Sequence, residues 1–81
     1  MKIDTGDKVH HAPTGEDWLV AFVEGENLVP LGWPQTIAKL ADCTLLEKAT
    51  QEDRAMWRKD LLRLSTDDIR GRWARENIKE K

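Results

Sequence analysis

The sequence is organised around Trp18-Leu19-Val20-Ala21-Phe22-Val23, an unbroken apolar run that is followed by the polar turn Glu24-Gly25-Glu26-Asn27. Tryptophan, valine and phenylalanine favour strands, and a glycine in the turn lets the backbone reverse tightly. The pattern therefore predicts a strand over residues 18–23 and a hairpin that returns as Leu28-Val29-Pro30-Leu31.

Both faces of this strand are apolar. Successive side chains of a strand point to opposite sides of the sheet, so Trp18, Val20 and Phe22 are expected on one face and the intervening residues on the other. A strand that is apolar on both faces has to be covered on both sides. The C-terminal half of the chain is therefore expected to supply a second layer of structure.

Three further short strands are expected in the first half of the chain. Lys8-Val9-His10-His11 follows a turn at Gly6-Asp7, and Asp42 to Leu46 has the composition of a final strand. Thr36 to Ala41 is compatible with either a strand or one turn of helix. Five short strands joined by tight turns within residues 6–47 favour a small antiparallel barrel.

The second half predicts a helical hairpin over residues 50–79. Thr50-Gln51-Glu52-Asp53 is a capping sequence, and Ser65-Thr66-Asp67-Asp68 repeats the signal before a second helix. The apolar stripe of the first helix is expected at Met56, Trp57, Leu61 and Leu64. The thinner face of the second is expected at Ile69, Trp73 and Asn77, flanked by Ala74 and Ile78. The expected fold class is therefore α+β, with two C-terminal helices packed on the barrel.

Length and composition limit the functions that the chain can have. Its 81 residues fit one domain, residues 1–81, and its net charge of -2 is unlike that of a polybasic nucleic-acid binder. No apolar run approaches the roughly 18 residues of a membrane helix, and the first residues do not resemble a signal peptide. Cys43 is the only cysteine, so no internal disulfide is expected and the cytoplasm is the default compartment.

Charge is divided unevenly along the chain. Residues 1–50 contain four Lys and no Arg against eight acids, whereas residues 51–81 contain nine Lys or Arg against seven acids. An acidic half rich in predicted strands is thus followed by a mildly basic helical half. This division makes the arginines the candidates for contact with an anionic ligand.

The first half resembles the SH3-like barrels, the group that includes KOW and Tudor modules. The resemblance covers roughly residues 5–47 and rests on Gly6-Asp7-Lys8-Val9 at the first strand, the long second strand and the hairpin at Gly25. It implies a five-stranded barrel. KOW modules usually present a basic binding surface, whereas this half is acidic, and Tudor modules use an aromatic cage, whereas this chain has no Tyr.

The whole chain resembles small proteins that are encoded by phages and bacterial prophages. The similarity rests on Pro13-Thr14-Gly15-Glu16-Asp17-Trp18, Gly32-Trp33-Pro34 and Asp42-Cys43, together with the arginine-rich tail. It implies a phage or prophage origin and the cytoplasm of a bacterial host. No established activity belongs to that group, so the resemblance implies no mechanism.

Four residues are the candidates for metal binding or nucleophilic catalysis: His10, His11, Asp42 and Cys43. Adjacent strand residues point to opposite faces, so one histidine at most is expected to meet Cys43, which gives too few ligands for zinc. A Cys–His pair with no third orienting residue and no oxyanion hole is also insufficient for catalysis. We therefore predict no enzyme activity, no metal and no cofactor, with one exposed histidine, one packed histidine and a buried thiol.

Arginines of the second helix are candidates for a binding site: Arg70, Arg72 and Arg75. Arg72 and Arg75 share a helix face, and arginine is the preferred residue for phosphate recognition. Asp68 and Glu76 offer a different interpretation, since each can pair with Arg72 at i,i+4 and leave a solvated, salt-bridged face. Gly71 inside the helix indicates a kink or the close approach of another backbone.

Two functions from different classes are compatible with the sequence. The first is a non-enzymatic interaction module that binds a protein partner through the barrel loops and the helical face. Its anchor would be Trp33, which alternatively closes the open end of the barrel. The second is a phosphate-ligand or nucleic-acid binding protein, a host-defence antagonist or regulator, that uses the three arginines. A monomer or a weak homodimer is expected in either case.

Overall fold

Five antiparallel strands form one sheet in the computed structural model, which describes residues 3–32 and 36–78. The strands are β1 (Lys8–His11), β2 (Glu16–Glu24), β3 (Asn27–Pro30), β4 (Ala38–Lys39) and β5 (Cys43–Glu47). Two helices follow, α1 (Gln51–Leu62) and α2 (Ile69–Asn77). The α+β class is therefore confirmed, with an antiparallel five-stranded sheet and two C-terminal helices.

The strands follow the order β4-β3-β2-β1-β5 across the sheet. β1 to β4 form a meander, and β5 returns to pair with β1. Within the described residues β4 and β5 do not pair, so the sheet is open where the sequence predicted a closed barrel. β4 is two residues long and leads at once into a 3-10 helix at Leu40–Asp42, so it offers little backbone for a further strand. The ambiguous stretch Thr36 to Ala41 therefore contains both a strand and a helical turn.

A β-bulge in β2 separates two cores. Val20 pairs with Pro30 and Phe22 pairs with Val29, so Ala21 stands in β2 as one extra residue. The alternation of faces shifts at this point, and Phe22 packs in a different cluster from Val20. The prediction that Phe22 shares a face with Val20 is therefore wrong, because strict alternation does not allow for an extra residue.

The two cores share β2 and β3 but differ in the other elements that complete them. The sheet core consists of strand residues, namely Val9, Trp18, Val20, Leu28 and Ala38. The helix core joins strand residues to helix residues, namely Ala21, Phe22, Val29, Leu61 and Ala74. Phe22 also stacks on Trp73 of α2, with ring centroids 4.7 Å apart and planes 5° from parallel. The apolar residues on the two faces of β2 thus pack in two separate clusters. The two helices form the second layer that the sequence predicts.

The first predicted capping sequence begins α1 at Thr50, whereas in the second the cap is Asp68 and not Ser65. Thr50 Oγ1 accepts a hydrogen bond from the backbone N–H of Asp53 at 3.1 Å, and Asp68 accepts one from the backbone N–H of Arg70 at 2.9 Å. Each bond satisfies one of the N–H groups that a helix leaves free at its first turn. The second capping residue is Asp68, so α2 begins at Ile69.

The predicted apolar stripes are correct at only part of their positions. Leu61 and Ala74 are buried, whereas Met56 and Ile69 are 48% and 44% exposed. Both helices therefore contact the sheet along a narrower face than their sequences predict. Neither helix in the described part of the chain is long and apolar enough to cross a membrane.

Gly71 lies where α2 touches the connection between the two helices. A Cβ atom at this position would lie 2.8 Å from the carbonyl oxygen of Leu64 and closer still to that of Ser65. The predicted close approach of another backbone is confirmed, and the neighbour is the α1–α2 connection rather than the sheet. Only glycine allows this contact without moving one of the two backbones.

A buried carboxylate fastens α1 to the segment before β1. Asp7 has no exposed side-chain surface, and its Oδ1 accepts hydrogen bonds from Ala49 N–H at 2.8 Å and from Arg54 Nη2 at 2.6 Å. Burial raises the pKa of Asp7, but these hydrogen bonds and one from the backbone N–H of Asp4 outweigh that effect and hold the pKa below its ordinary value. The sequence indicates a turn at Asp7 but contains no local signal for this long-range contact.

Candidate functional site

A groove separates one edge of the sheet from the beginning of α2. Its volume is about 650 Å³, and its walls come from β3, the residues before β4, the α1–α2 connection and α2. The described lining is Val29, Pro30, Thr36, Ile37, Ser65, Asp67, Asp68, Ile69 and Arg70. Ile37 on the sheet side is 56% exposed, and Ile69 on the helix side is 44% exposed. We name this site the isoleucine groove. Exposed aliphatic side chains at a concave surface are typical of binding sites.

Arg70 holds the two walls of the isoleucine groove together. Its Nε and Nη2 donate to the two carboxylate oxygens of Asp68 at 2.9 and 2.6 Å, and its Nη1 donates to the carbonyl of Leu31 beyond β3. Hydrogen bonds from Arg70 hold the pKa of Asp68 below its ordinary value, and the same contact raises the pKa of Arg70. With 12% of its side chain exposed, Arg70 is engaged in positioning α2. The predicted pairing of Asp68 with Arg72 is wrong, because Asp68 pairs with Arg70.

Asp67 is the exposed acid of the groove. Its backbone N–H donates to Ser65 Oγ at 3.1 Å, which orders the turn before α2. Within the described residues the Asp67 carboxylate makes no ion pair and accepts no hydrogen bond. Because Asp68 is neutralised by Arg70, Asp67 gives the groove its uncompensated negative charge.

Arg72 and Arg75 lie together over the α1–α2 connection. Arg72 donates from Nε and Nη2 to the carbonyl of Thr66 at 3.3 and 3.2 Å. Arg75 donates from Nη2 to the carbonyl of Leu64 at 3.3 Å. Both arginines are exposed, so the structure brings them to one surface, as their spacing on the helix predicts. Arg70 contacts the sheet instead and does not belong to that surface.

Trp33 lies outside the described residues, together with Pro34 and Gln35. The described chain stops at Gly32 and resumes at Thr36, which lines the isoleucine groove. The role of Trp33 as a binding anchor therefore stays a prediction.

The two histidines have different surroundings. His10 Nδ1 lies 2.8 Å from Asp17 Oδ1, and 42% of the His10 side chain is exposed. His11 is buried, and its ring stacks on Trp18 with ring centroids 4.1 Å apart. The Nδ1 of His11 lies 2.8 Å from Thr14 Oγ1. The prediction of one exposed and one packed histidine is thus confirmed.

Cys43 is a half-buried thiol beside one of these histidines. It is the partner of His11 in the register between β5 and β1, and its thiol donates to the carbonyl of Lys39 at 3.6 Å. Burial and the charge of Asp42 raise the pKa of Cys43, so the neutral thiol is favoured at neutral pH. Within the described residues, no group of three or more His, Cys, Asp or Glu side chains is arranged to hold a metal ion.

No protein-family model, curated protein or solved structure matches the chain. The geometry of the isoleucine groove is therefore the basis for its function, and the sequence did not indicate Ile37, Ile69 or Asp67 as site residues. The apolar pattern of α2 places Ile69 on the inner face, whereas the buried positions are Gly71 and Ala74.

Proposed function

We propose that this protein is a non-enzymatic interaction module that binds a partner protein at the isoleucine groove. The observation that carries the proposal is the exposure of Ile37 and Ile69, at 56% and 44%, on the two sides of one concavity. A partner side chain that enters the groove removes apolar surface of both isoleucines from water. This burial stabilises the complex by about 0.8 kcal/mol for each buried methylene. The groove lies between a loop of the sheet and the helical layer, the two regions from which the sequence predicts binding.

We infer further that the sheet belongs to the SH3-like type and that the protein is of phage or prophage origin. A meander whose last strand returns to pair with the first supports the fold assignment, as does the 3-10 helix between β4 and β5. The assignment of origin rests on the sequence resemblance alone. Both assignments agree with a small binding module but neither identifies the partner.

The test of the proposed function is selection of binders from a library of random short peptides on the full chain. The selected peptides are titrated against Ile37→Ser and Ile69→Ser, with dispersed amide spectra as the check that both variants fold. Leu46→Ser is the matched control, because Leu46 is 49% exposed on β5 and does not line the groove. We expect each groove variant to weaken binding about tenfold and the control to leave it unchanged. If both groove variants bind the peptides as tightly as the Leu46→Ser control, the proposal is contradicted.

Trp33→Ala extends the same experiment to the residue that the sequence singles out. A loss of peptide binding in a folded Trp33→Ala variant would support its role as an anchor. Unchanged binding would instead favour the alternative that Trp33 closes the end of the sheet.

Binding of a phosphate ligand or nucleic acid is the second candidate function. Arg72 and Arg75 favour it, because both are exposed and lie together over the α1–α2 connection. The probes are short single-stranded RNA and inorganic phosphate at low salt, with the double variant Arg72→Gln/Arg75→Gln. Lys8→Gln is the control, since Lys8 is exposed on β1 and lies neither on α2 nor on the α1–α2 connection. An affinity that changes neither with salt concentration nor in the double variant would exclude this function.

A further inference from the structure

We propose that the isoleucine groove takes a segment of a partner protein in which a lysine or arginine stands beside an aliphatic residue. This inference rests on the proposed function, because it names the kind of segment that the same groove binds. Two features of the groove carry it: an uncompensated carboxylate and two exposed isoleucines.

Asp67 determines which sign of charge the groove attracts. The ionisable residues of the described lining are Asp67, Asp68 and Arg70. Asp68 and Arg70 compensate each other through hydrogen bonds of 2.9 and 2.6 Å. The Asp67 carboxylate is exposed and has no partner among the described residues. A cationic side chain that enters the groove is therefore attracted, and an anionic one is repelled.

Ile37 and Ile69 impose the second requirement. They flank a wall that includes Val29 and Pro30, both buried. An aliphatic side chain fits such a lining, since its burial needs no hydrogen bond. Within the described residues, the only buried side-chain nitrogen or oxygen atom without a hydrogen-bond partner is Arg58 Nε, which does not line the groove. Among the described lining residues, therefore, no buried side-chain nitrogen or oxygen atom lacks a partner that a sugar, a base or a phosphate could supply.

The experiment uses the selected peptides and a reversal of charge at residue 67. We expect the peptides that lose binding in Ile69→Ser to share a basic residue next to an aliphatic one. Asp67→Asn should weaken them about threefold at low salt, and Asp67→Lys about tenfold. Asp67→Lys should also bind the same peptides better when their basic residue is replaced by Glu. Glu52→Lys is the matched control, because Glu52 is exposed on α1 and does not line the groove.

The outcomes separate this inference from the proposed function. Peptides that require Ile69 but are neutral or acidic would overturn the inference and leave the proposed function standing, as would peptides that bind Asp67→Lys and the native chain equally. A library that yields no peptide sensitive to Ile69→Ser would overturn both. Self-association of the native chain that Ile69→Ser abolishes would show that a second copy occupies the groove, and would also overturn the inference.

Discussion

The Oδ1 atom of Asp7 lies 2.6 Å from Nη2 of Arg54, and no part of the Asp7 side chain is exposed. Arg54 also donates from Nε to the carbonyl of Thr5 at 3.0 Å, so it holds the segment before β1 at two points. Leu61 is the buried residue of α1 among those described. Attachment of α1 to the sheet therefore depends on this ion pair as well as on apolar contact.

Asp7→Asn is expected to lower the free energy of unfolding by about 3 kcal/mol, because it removes one partner of a buried ion pair. Unfolding in urea at neutral pH measures the change. Asp60→Asn is the matched control, since Asp60 Oδ1 lies 3.8 Å from Arg63 Nη1 and 47% of the Asp60 side chain is exposed, so its loss should cost less than about 1 kcal/mol. Equal losses in the two variants would show that Asp7 does not fasten α1.

Acid is expected to destabilise the native protein more than the Asp7→Asn variant. The pKa values of Asp7 and Asp68 are lower in the folded chain than the value of about 3.9 for an unperturbed aspartate. The stabilisation from both groups is therefore present above about pH 4 and is lost as the pH falls through their lowered pKa values. Urea unfolding at a series of acidic pH values measures the slope, and an identical slope in Asp7→Asn would refute the role of Asp7.

Gly71→Ala is expected to destabilise the protein by about 1–3 kcal/mol, although alanine is the better helix former by about 1 kcal/mol. The added Cβ atom would meet the carbonyl oxygens of Leu64 and Ser65, and both belong to backbone that cannot rotate away. Thermal and urea unfolding measure the change. Gly32→Ala is the control, because a Cβ atom there meets no atom of the described residues within 4 Å. A more stable Gly71→Ala variant would mean that the connection moves freely.

Phe22 and Trp73 are expected to be coupled by about 0.5–1.5 kcal/mol in a double-mutant cycle. Their rings stack with centroids 4.7 Å apart, and no other aromatic pair among the described residues joins the sheet to a helix. The cycle uses Phe22→Leu, Trp73→Leu and the double variant, with urea unfolding as the measurement. Additive losses would show that the two rings contribute only their separate burial.

Cys43 is expected to react with iodoacetamide more slowly than glutathione does at neutral pH. Burial and the charge of Asp42 raise its pKa, which lowers the fraction of the reactive thiolate below that of a free thiol. The rate should rise to that of a free thiol when the chain is unfolded in guanidinium. A folded protein that reacts faster than glutathione would indicate an activated nucleophile and would reopen the question of catalysis.

Most elements of the fold follow from local signals in the sequence. Thr50 caps α1 as its spacing from Asp53 predicts. Gly25 adopts a φ of 62° in the turn between β2 and β3, a conformation that residues with a side chain rarely adopt. Such signals act within a few residues, so they can be recognised without knowledge of the rest of the chain.

Features that depend on distant partners were not predictable in the same way. The bulge at Ala21 becomes visible only once β2 is paired with β3, since the apolar run is equally compatible with regular alternation. The burial of Asp7 requires Ala49 and Arg54, which are separated from it by most of the chain. The local sequence around Asp7 is compatible both with an exposed polar turn and with a buried carboxylate that accepts hydrogen bonds.

The candidate site was predictable only in its general position. The sequence pointed to the loop after β3 and to α2, and the isoleucine groove lies between them. It placed Arg72 and Arg75 on one helix face apart from Arg70, but it did not indicate that Arg70 positions α2 whereas the other two remain exposed. That distinction depends on the carbonyl of Leu31, a partner contributed by another element of the fold.

Because β2 contributes residues to both cores, the two cores are coupled when the protein unfolds. Val20 and Phe22 belong to different cores but are held by the same backbone, one on each side of the extra residue. The helical pair cannot leave without uncovering Phe22, and β2 cannot shift to bury Phe22 elsewhere without withdrawing Val20 from its own cluster. Amide hydrogens in the two cores should therefore exchange through one cooperative unfolding event. Because both cores depend on β2, neither is expected to unfold independently of the other.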